Sequence, residues 1–240
     1  MVLSFLILMG FLTARAEDRP RPMLERVIID PGHGGEDPGI TGPGGLTENR
    51  FTLYLARQLK AALENELGIK VVLTREEEDK NPTLPERTAV ANAFKADIFL
   101  SLHAGSGPGD GAQSISVFYQ SPKLQESLPR QGSGRDVSPE GARSWRLAQS
   151  RHVQVSARLA EELDQALREV LRVKTPGPIP LPLAVLTGAD QPAVLIEIGL
   201  LTSAEGERRL GTEGYRTAVS QAVVRGLKSW QNWMRRLNGE

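Results

Sequence analysis

The stretch Ile28-Ile29-Asp30-Pro31-Gly32-His33-Gly34-Gly35 decides the fold of this chain. Its first residues continue a β-branched run from Val27, a composition typical of a buried strand. The run breaks abruptly into proline and glycine, and a histidine lies inside the break. Open α/β sheets keep their functional groups in the crevice beyond the carboxyl ends of such strands. The stretch therefore predicts either a strand that delivers His33 to a functional edge or a tight turn whose histidine faces water.

Segments typical of strands and of helices alternate along the rest of the chain. After Glu48, Phe51 and a series of leucines recur every four residues and predict a helix that ends at Gly68. Strands are predicted at 26–30, 69–74, 97–102, 115–119, 184–186 and 193–198, and further helices at 84–95, 144–170 and 212–236. Residues 31–47, 75–83 and 173–182 are predicted connections, and 120–143 a surface insertion. This alternation predicts a single α/β domain, with a mostly parallel twisted sheet and helices on both faces.

The composition excludes several classes of function. The 240 residues include 29 Lys+Arg and 29 Asp+Glu, so the net charge gives no case for binding nucleic acid or an anionic membrane surface. There is no cysteine, which excludes disulfides, thiolate zinc sites and a cysteine nucleophile. Any bound metal must therefore be held by His, Asp or Glu.

The N-terminus has the pattern of a secretory signal peptide. Residues 2–12 are apolar but too few to span a bilayer comfortably, and an A-x-A-like site follows at Ala14 and Ala16. We expect a signal peptide at 1–16, a linker at 17–25 and a catalytic domain at 26–240. The protein would then be exported to the periplasm or cell envelope, with no stable membrane span after cleavage. No basic residue precedes the apolar run, and the alternatives are an uncleaved anchor or an additional N-terminal helix.

Two histidines and two carboxylates are predicted to meet at one edge of the sheet. His33 follows the first strand, His103 follows the third, and Glu197 lies near the end of the last. Glu48 opens the helix that the glycine-rich loop leads into. Two histidines, one carboxylate and an open position form the ligand set of catalytic zinc in peptide-bond hydrolases, where a second carboxylate acts as general base.

The residues alone leave the third ligand open among Glu36, Asp37 and Glu48. Asp30 is a candidate for orienting His33 without binding the metal itself. A carboxylate in the apolar run around Glu197 is costly to bury, so it either faces water or has a functional partner.

Other readings of the motifs have less support. No GK[ST] follows the glycine loop, which disfavours a phosphate site, and Ser101 next to His103 lacks a GxSxG elbow. His152 falls within a predicted helix and is interpreted as a surface or packing residue.

Several ordered motifs resemble the zinc-dependent N-acetylmuramoyl-L-alanine amidases, the family often called amidase-3. They are DPGHGGEDPG, GLTEN, LTRE, LPERTAVANAFKADIFLSLHAG and PAVLIEIGLL, between about residues 26 and 201. The resemblance implies zinc ligands at His33, Glu48 and His103 and a catalytic carboxylate at Glu197, and it favours Glu48 over Glu36 and Asp37. It also implies a peptidoglycan substrate, cleaved between N-acetylmuramic acid and the L-alanine of the stem peptide.

The chain departs from the family pattern at three places. Gly105 stands where the family usually has Asn, AQSISVFYQ replaces a G-x-x-T-Y-Y form, and Thr202-Ser203 replaces Ser-Asn. Some resembling proteins carry a regulatory segment that blocks the site. Residues 120–150 are interpreted as a mobile insertion, with that regulatory role as the alternative, and any activating partner protein stays unidentified. Two other functions remain to be weighed: a zinc peptidase acting on peptides, and an inactive peptidoglycan-binding protein of the same fold.

Overall fold

A computed structural model describes residues 24–105, 115–121 and 145–239. Within them, six strands form one sheet: β1 Arg26–Pro31, β2 Lys70–Leu73, β3 Ile98–His103, β4 Ile115–Gln120, β5 Ile179–Leu181 and β6 Ala193–Ile198. The α-helices are α1 Glu48–Leu67, α2 Leu84–Phe94, α3 Val153–Leu171, α4 Ala204–Leu210 and α5 Glu213–Leu237. Two 3₁₀ helices lie at Trp145–Arg151 and Ala184–Leu186.

The strand order is β2-β1-β3-β6-β4-β5. Strands β1, β2, β3 and β6 are mutually parallel, whereas β4 runs antiparallel to β6 and parallel to β5. The chain moves from β1 outward to β2 and then returns to β3 on the other side of β1. The carboxyl ends of β1 and β3 therefore flank the point where the strand order reverses, which is where open α/β sheets form their binding crevice.

The two faces of the sheet are covered unequally. One face packs against α1, α3 and α5, with buried side chains such as Phe51, Leu163 and Trp230. The other face packs, among the described elements, against α2 and the 3₁₀ helix at 184–186, around Phe99 and Leu186. The predicted α/β class, with a mostly parallel sheet and helices on both faces, is confirmed.

Several predicted elements were wrong in detail. The predicted strand at 184–186 is a 3₁₀ helix, and the helix predicted from 144 begins at Val153 after a 3₁₀ turn. The connection predicted at 173–182 contains the short strand β5, and α4 was not predicted. The Gly68 cap is as predicted, with φ of 66° in the left-handed region.

The predicted signal peptide at 1–16 and most of the linker at 17–25 lie outside the described residues, as does the insertion from 122 to 143. The described residues on either side of that insertion lie near the start of β6: Gln120 ends β4, and Gln149 contacts Ala189. The start of β6 is at the opposite end of the strands from the carboxyl ends of β1 and β3. No helix in the described part of the chain combines the length and apolarity needed to cross a bilayer.

Candidate active site

The turn after β1 holds His33 in an uncommon backbone conformation. His33 has φ of 58°, in the left-handed region that few residues other than glycine adopt. Two arginines hold the carbonyl groups of this turn. Arg75 donates from Nε to Pro31 O (3.1 Å) and from Nη2 to Gly32 O (2.9 Å), while Arg87 donates from Nη2 to His33 O (2.9 Å). These bonds keep the strained turn in one shape.

Asp30 supports the turn through Arg87. Arg87 Nη1 lies 2.8 Å from Asp30 Oδ1, and both side chains are buried. Thr74 donates to the same carboxylate, as does Ser101 (2.9 Å to Oδ2). The side-chain hydrogen bonds of Asp30 therefore go to these three residues. Asp30 does not bind His33 directly; both contact the guanidinium of Arg87, which donates to the His33 carbonyl oxygen.

Asp37 is the carboxylate that orients the His33 ring. Its Oδ2 lies 2.8 Å from His33 Nδ1, and its Oδ1 accepts from Gly39 N at 3.0 Å. Partial burial disfavours the charged form, but the bonds from His33 and Gly39 outweigh it and hold the pKa of Asp37 below its usual range. With Nδ1 engaged by Asp37, His33 presents Nε2 to Glu48.

Glu48 joins the two histidines at the first turn of α1. Its Oε2 lies 3.1 Å from His33 Nε2 and accepts from Ile40 N, while its Oε1 lies 2.9 Å from His103 Nδ1 and accepts from Ala104 N. Burial opposes ionisation of this side chain, yet the bonds to His103 and His33 bring the pKa of Glu48 far below its ordinary value. The same contact with Glu48 raises the pKa of His33 to about 9, against the lowering effect of burial.

His33, Glu48 and His103 form a group able to hold a metal ion. Each offers one ligand atom, and these atoms all lie within 4.8 Å of one another. The two imidazole rings meet edge to face, with centroids 5.1 Å apart. Among the residues that the structure describes, this is the single such group of His, Asp and Glu.

Glu197 lies beside this group but outside it. It is directly opposite His103 in the β3–β6 register, and its side chain is partly buried. Its Oε2 is buried and has no hydrogen-bond partner within the described part of the protein. Burial raises the pKa of Glu197 to about 7, although the nearby imidazoles of His103 and His33 act in the opposite direction. A carboxyl group with this pKa can gain and lose a proton near neutral pH.

A cleft of about 430 Å³ opens beside the metal-binding group. His33 and His103 line it. Its other walls combine polar side chains such as Asp37, Asn81 and Arg87 with the apolar side chains of Leu84, Val185 and Leu195. The cleft lies on the face of the sheet that packs against α2 and the 3₁₀ helix at 184–186. These two short elements leave the carboxyl ends of the strands uncovered on that face.

The structure brings together the four residues singled out in the sequence. His33, Glu48 and His103 form the metal-binding group and Glu197 adjoins it, whereas Glu36 is exposed and outside it. His152 lies at the N-terminal end of α3, 3.2 Å from Asp190 Oδ1, with no part in this group. The roles of the two arginines were missed, although LTRE and LPERT were among the segments that carried the resemblance.

The departure at Gly105 has a steric explanation. A Cβ atom at this position would lie 2.6 Å from Ile40 Cδ1 and 3.6 Å from Glu48 Oε2. The side chain of Ile40, from the glycine-rich loop, therefore fills the space beside the metal-binding group that a larger residue at 105 would need.

Comparisons with known proteins find relatives among the N-acetylmuramoyl-L-alanine amidases. AmiC of Neisseria meningitidis, an N-acetylmuramoyl-L-alanine amidase, is 30% identical over 91% of this chain and 55% of its own length. AmiA of Escherichia coli is 28% identical over 86% of this chain and 76% of its own length. A crystal structure of an N-acetylmuramoyl-L-alanine amidase from Clostridium difficile matches with a TM-score of 0.67 and 26% identity, over 87% of this chain and 97% of that one.

The match covers only part of the longer relatives. The chain spans about half the length of the first curated relatives it matches, with 55%, 52% and 54% of their lengths covered. The sequence profile described as N-acetylmuramoyl-L-alanine amidase matches residues 27–229, which include the whole site. The chain therefore belongs to the N-acetylmuramoyl-L-alanine amidase family.

Proposed function

We propose that this protein is a zinc-dependent peptidoglycan amidase. It hydrolyses the amide bond between the lactyl group of N-acetylmuramic acid and the L-alanine of the stem peptide. The observation that carries the proposal is the pairing of a three-residue metal-binding group with an adjacent carboxylate. Three donors leave one coordination position for chemistry, and Glu197 lies next to the group without belonging to it.

The donor set fits zinc. Imidazole nitrogen combined with one carboxylate suits zinc better than the oxygen-preferring magnesium or calcium. Ligands about 2.0 Å from a tetrahedral ion lie roughly 3.3 Å apart, and His33 Nε2 lies 3.1 Å from Glu48 Oε2. We assign His33, Glu48 and His103 as the ligands, with Asp37 fixing the ring of His33. Zinc bound there would polarise the amide carbonyl and activate water.

Glu197 is assigned as the general base. It would take the proton from the attacking water and pass it to the leaving nitrogen of the L-alanine. Burial raises the affinity of this carboxylate for a proton, which favours proton uptake from water, whereas the positive charge of bound zinc would favour release of the proton to the leaving nitrogen.

The proposed substrate and the predicted leader indicate the same compartment. Peptidoglycan lies outside the cytoplasmic membrane, and the sequence predicts export through residues 1–16. We propose that the protein acts in the periplasm or cell envelope.

Mass spectrometry of the products released from purified sacculi tests the activity. An amidase frees intact stem peptides and leaves glycan strands without peptide. Shortened peptides still attached to glycan would show a peptidase instead, and binding without any product would show an inactive wall-binding protein.

Two variants separate metal binding from catalysis. His103→Ala should lose most of the zinc, which is expected at about one per chain, and with it the activity. Glu197→Gln should keep the zinc and the fold, while turnover falls by roughly 10²–10⁴-fold. If Glu197→Gln loses zinc as His103→Ala does, then Glu197 is a ligand; if it stays active within a few fold, the base is elsewhere.

A further inference from the structure

Ser116 is a buried hydroxyl group in the same row of the sheet as Glu197. It lies on β4, directly opposite Glu197 in the antiparallel β4–β6 register, while His103 lies opposite Glu197 on the other side. Residues opposite each other in a sheet project their side chains to the same face, with Cβ atoms about 4.5–5.5 Å apart. The three side chains therefore share one face of three adjacent strands.

The burial of Ser116 has no structural explanation within the sheet itself. The side chain is 1% exposed, and its Oγ has no hydrogen-bond partner in the described part of the chain. Its neighbours Ile115 and Val117 are buried apolar residues. A hydroxyl buried without a partner costs free energy, so an apolar residue would stabilise this strand more. A buried polar group without a partner calls for an explanation, and a role at a functional site is one of the explanations known in native proteins.

The group opposite Ser116 is also unpaired. Glu197 Oε2 is a buried carboxylate oxygen without a hydrogen-bond partner among the described residues, so an unsatisfied donor faces an unsatisfied acceptor across one strand pair. The side chains together are long enough to span the separation of their Cβ atoms by rotation about their own single bonds.

The same sheet already contains a serine–carboxylate pair of this kind. Ser101 on β3 lies opposite Asp30 on β1, and its hydroxyl donates to Asp30 Oδ2 at 2.9 Å. A serine one strand away from a carboxylate is thus used in this protein to hold that carboxylate in place.

We propose that Ser116 is a positioning residue for Glu197: its hydroxyl donates a hydrogen bond to Glu197 Oε2 and holds the carboxylate in one orientation. The inference rests on the proposed function, in which Glu197 takes a proton from water. An acid–base group must lie within hydrogen-bond reach of that proton, so fixing the carboxylate raises the fraction of molecules ready to react. Ser116 itself touches neither water nor substrate in this role.

Steady-state kinetics on a soluble muramoyl-peptide fragment tests the assignment. Ser116→Ala should lower kcat by about ten- to a hundredfold, the loss expected for one hydrogen bond to a charged group, with KM changed less than about threefold. Ser116→Thr keeps the hydroxyl in a residue that strands favour and should recover most of kcat. Zinc content should equal that of the wild type, and the thermal midpoint should stay within about 3 °C.

A double-mutant cycle separates positioning from other roles. In Glu197→Gln the base is already gone, so adding Ser116→Ala should not slow the enzyme further. An equal loss in both backgrounds, a raised KM with unchanged kcat, or full activity of Ser116→Ala would each overturn the proposal. Activity of Glu197→Gln within a few fold of wild type would instead overturn the assignment of the base itself.

Ser220→Ala is a matched control for the removal of a buried serine hydroxyl. Ser220 lies on α5, on the other side of the sheet, and donates to Arg216 O within the helix. Ser220→Ala should leave kcat unchanged. If Ser116→Ala is too unstable to assay, Ser116→Cys replaces it, because cysteine keeps the size of the side chain but is a weaker hydrogen-bond donor. The kcat of Ser116→Cys should lie between that of the wild type and that expected for Ser116→Ala. A wild-type kcat in Ser116→Cys would also contradict the proposal.

Discussion

At the residue scale, the buried pair of Asp30 and Arg87 is expected to matter most for stability. Both side chains are almost completely buried, and Arg87 also binds the carbonyl groups of Pro31 and His33. Arg87→Met leaves the Asp30 carboxylate without its ion pair and the turn carbonyls without donors. The free energy of unfolding should fall by about 3–5 kcal/mol, as measured by urea denaturation.

A surface ion pair provides the control for this substitution. Lys228 Nζ lies 3.3 Å from Glu66 Oε2, and both side chains are about half exposed. Lys228→Met should change the free energy of unfolding by less than about 1 kcal/mol. Equal losses in the two variants would contradict the role assigned to Arg87.

The proximity of the four candidate site residues was predictable from sequence, because each lies at or near the end of a recognisable element. His33 and His103 follow strands, and Glu48 opens a helix. Asp37 remained one of several acidic candidates, because only the folded turn shows that its carboxylate reaches the His33 ring. Ser116 carried no such signal, since its relation to Glu197 depends on the pairing of β4 with β6 across 81 positions of sequence (197 − 116).

At the element scale, a carboxylate from α4 anchors the glycine-rich loop that leads into α1. Glu207 is buried; its Oε1 accepts from Leu46 N at 2.7 Å and its Oε2 accepts from Gly44 N. Gly42 lies so close to Glu207 that a Cβ atom there would be 2.5 Å from its carboxyl carbon. This loop determines where Glu48 begins the helix.

Glu207→Gln should loosen the loop, because an amide has one acceptor oxygen where the carboxylate has two. We expect a loss of about 1–3 kcal/mol in the free energy of unfolding and faster hydrogen exchange at the amides of Gly44 and Leu46. Glu205→Gln, an exposed position on the same helix, is the matched control and should change neither. Unchanged exchange in Glu207→Gln would show that the loop is held by other contacts.

The elements that sequence failed to predict share a physical cause, which is dependence on tertiary context. Residues 184–186 are too short an apolar run to distinguish a strand from a helical turn, and Val185 and Leu186 bury themselves against α2 without pairing. Strand β5 contains Pro180, which is tolerated because β5 lies at the edge of the sheet. Strand β4 runs antiparallel to β6, and only 11 residues (104–114) separate it from β3, fewer than the dozen or more that a parallel crossover takes.

At the scale of the whole molecule, the site makes stability depend on pH. Without metal, the pKa of His33 is raised to about 9 and that of Glu197 to about 7, both above their values in an unfolded chain. The folded protein therefore binds more protons than the unfolded chain between about pH 4.5 and 9. Wherever the folded state holds the extra protons, stability falls as pH rises.

We expect the thermal midpoint of the metal-free protein, prepared with a chelator, to decrease steadily from pH 5 to pH 9. The Glu197 contribution is lost between about pH 4.5 and 7, and the His33 contribution between about pH 6.5 and 9. Glu197→Gln has no charge to bury, so its midpoint should stay nearly constant up to about pH 6.5 and exceed that of the wild type at pH 8.

Zinc should reverse this dependence, because it binds neutral imidazole and displaces the proton from His33. At a hundredfold excess over its dissociation constant, zinc adds about 2.7 kcal/mol to the free energy of unfolding, or roughly 5–10 °C in the midpoint. The gain should be largest near pH 8 and disappear near pH 5, in wild type and in Glu197→Gln alike, and be absent from His103→Ala. A metal-free midpoint that rises from pH 5 to pH 9, or a zinc shift retained in His103→Ala, would contradict this account. Protons and the metal therefore compete for His33 where the strand order reverses, and the stability of the whole protein reports which of them is bound.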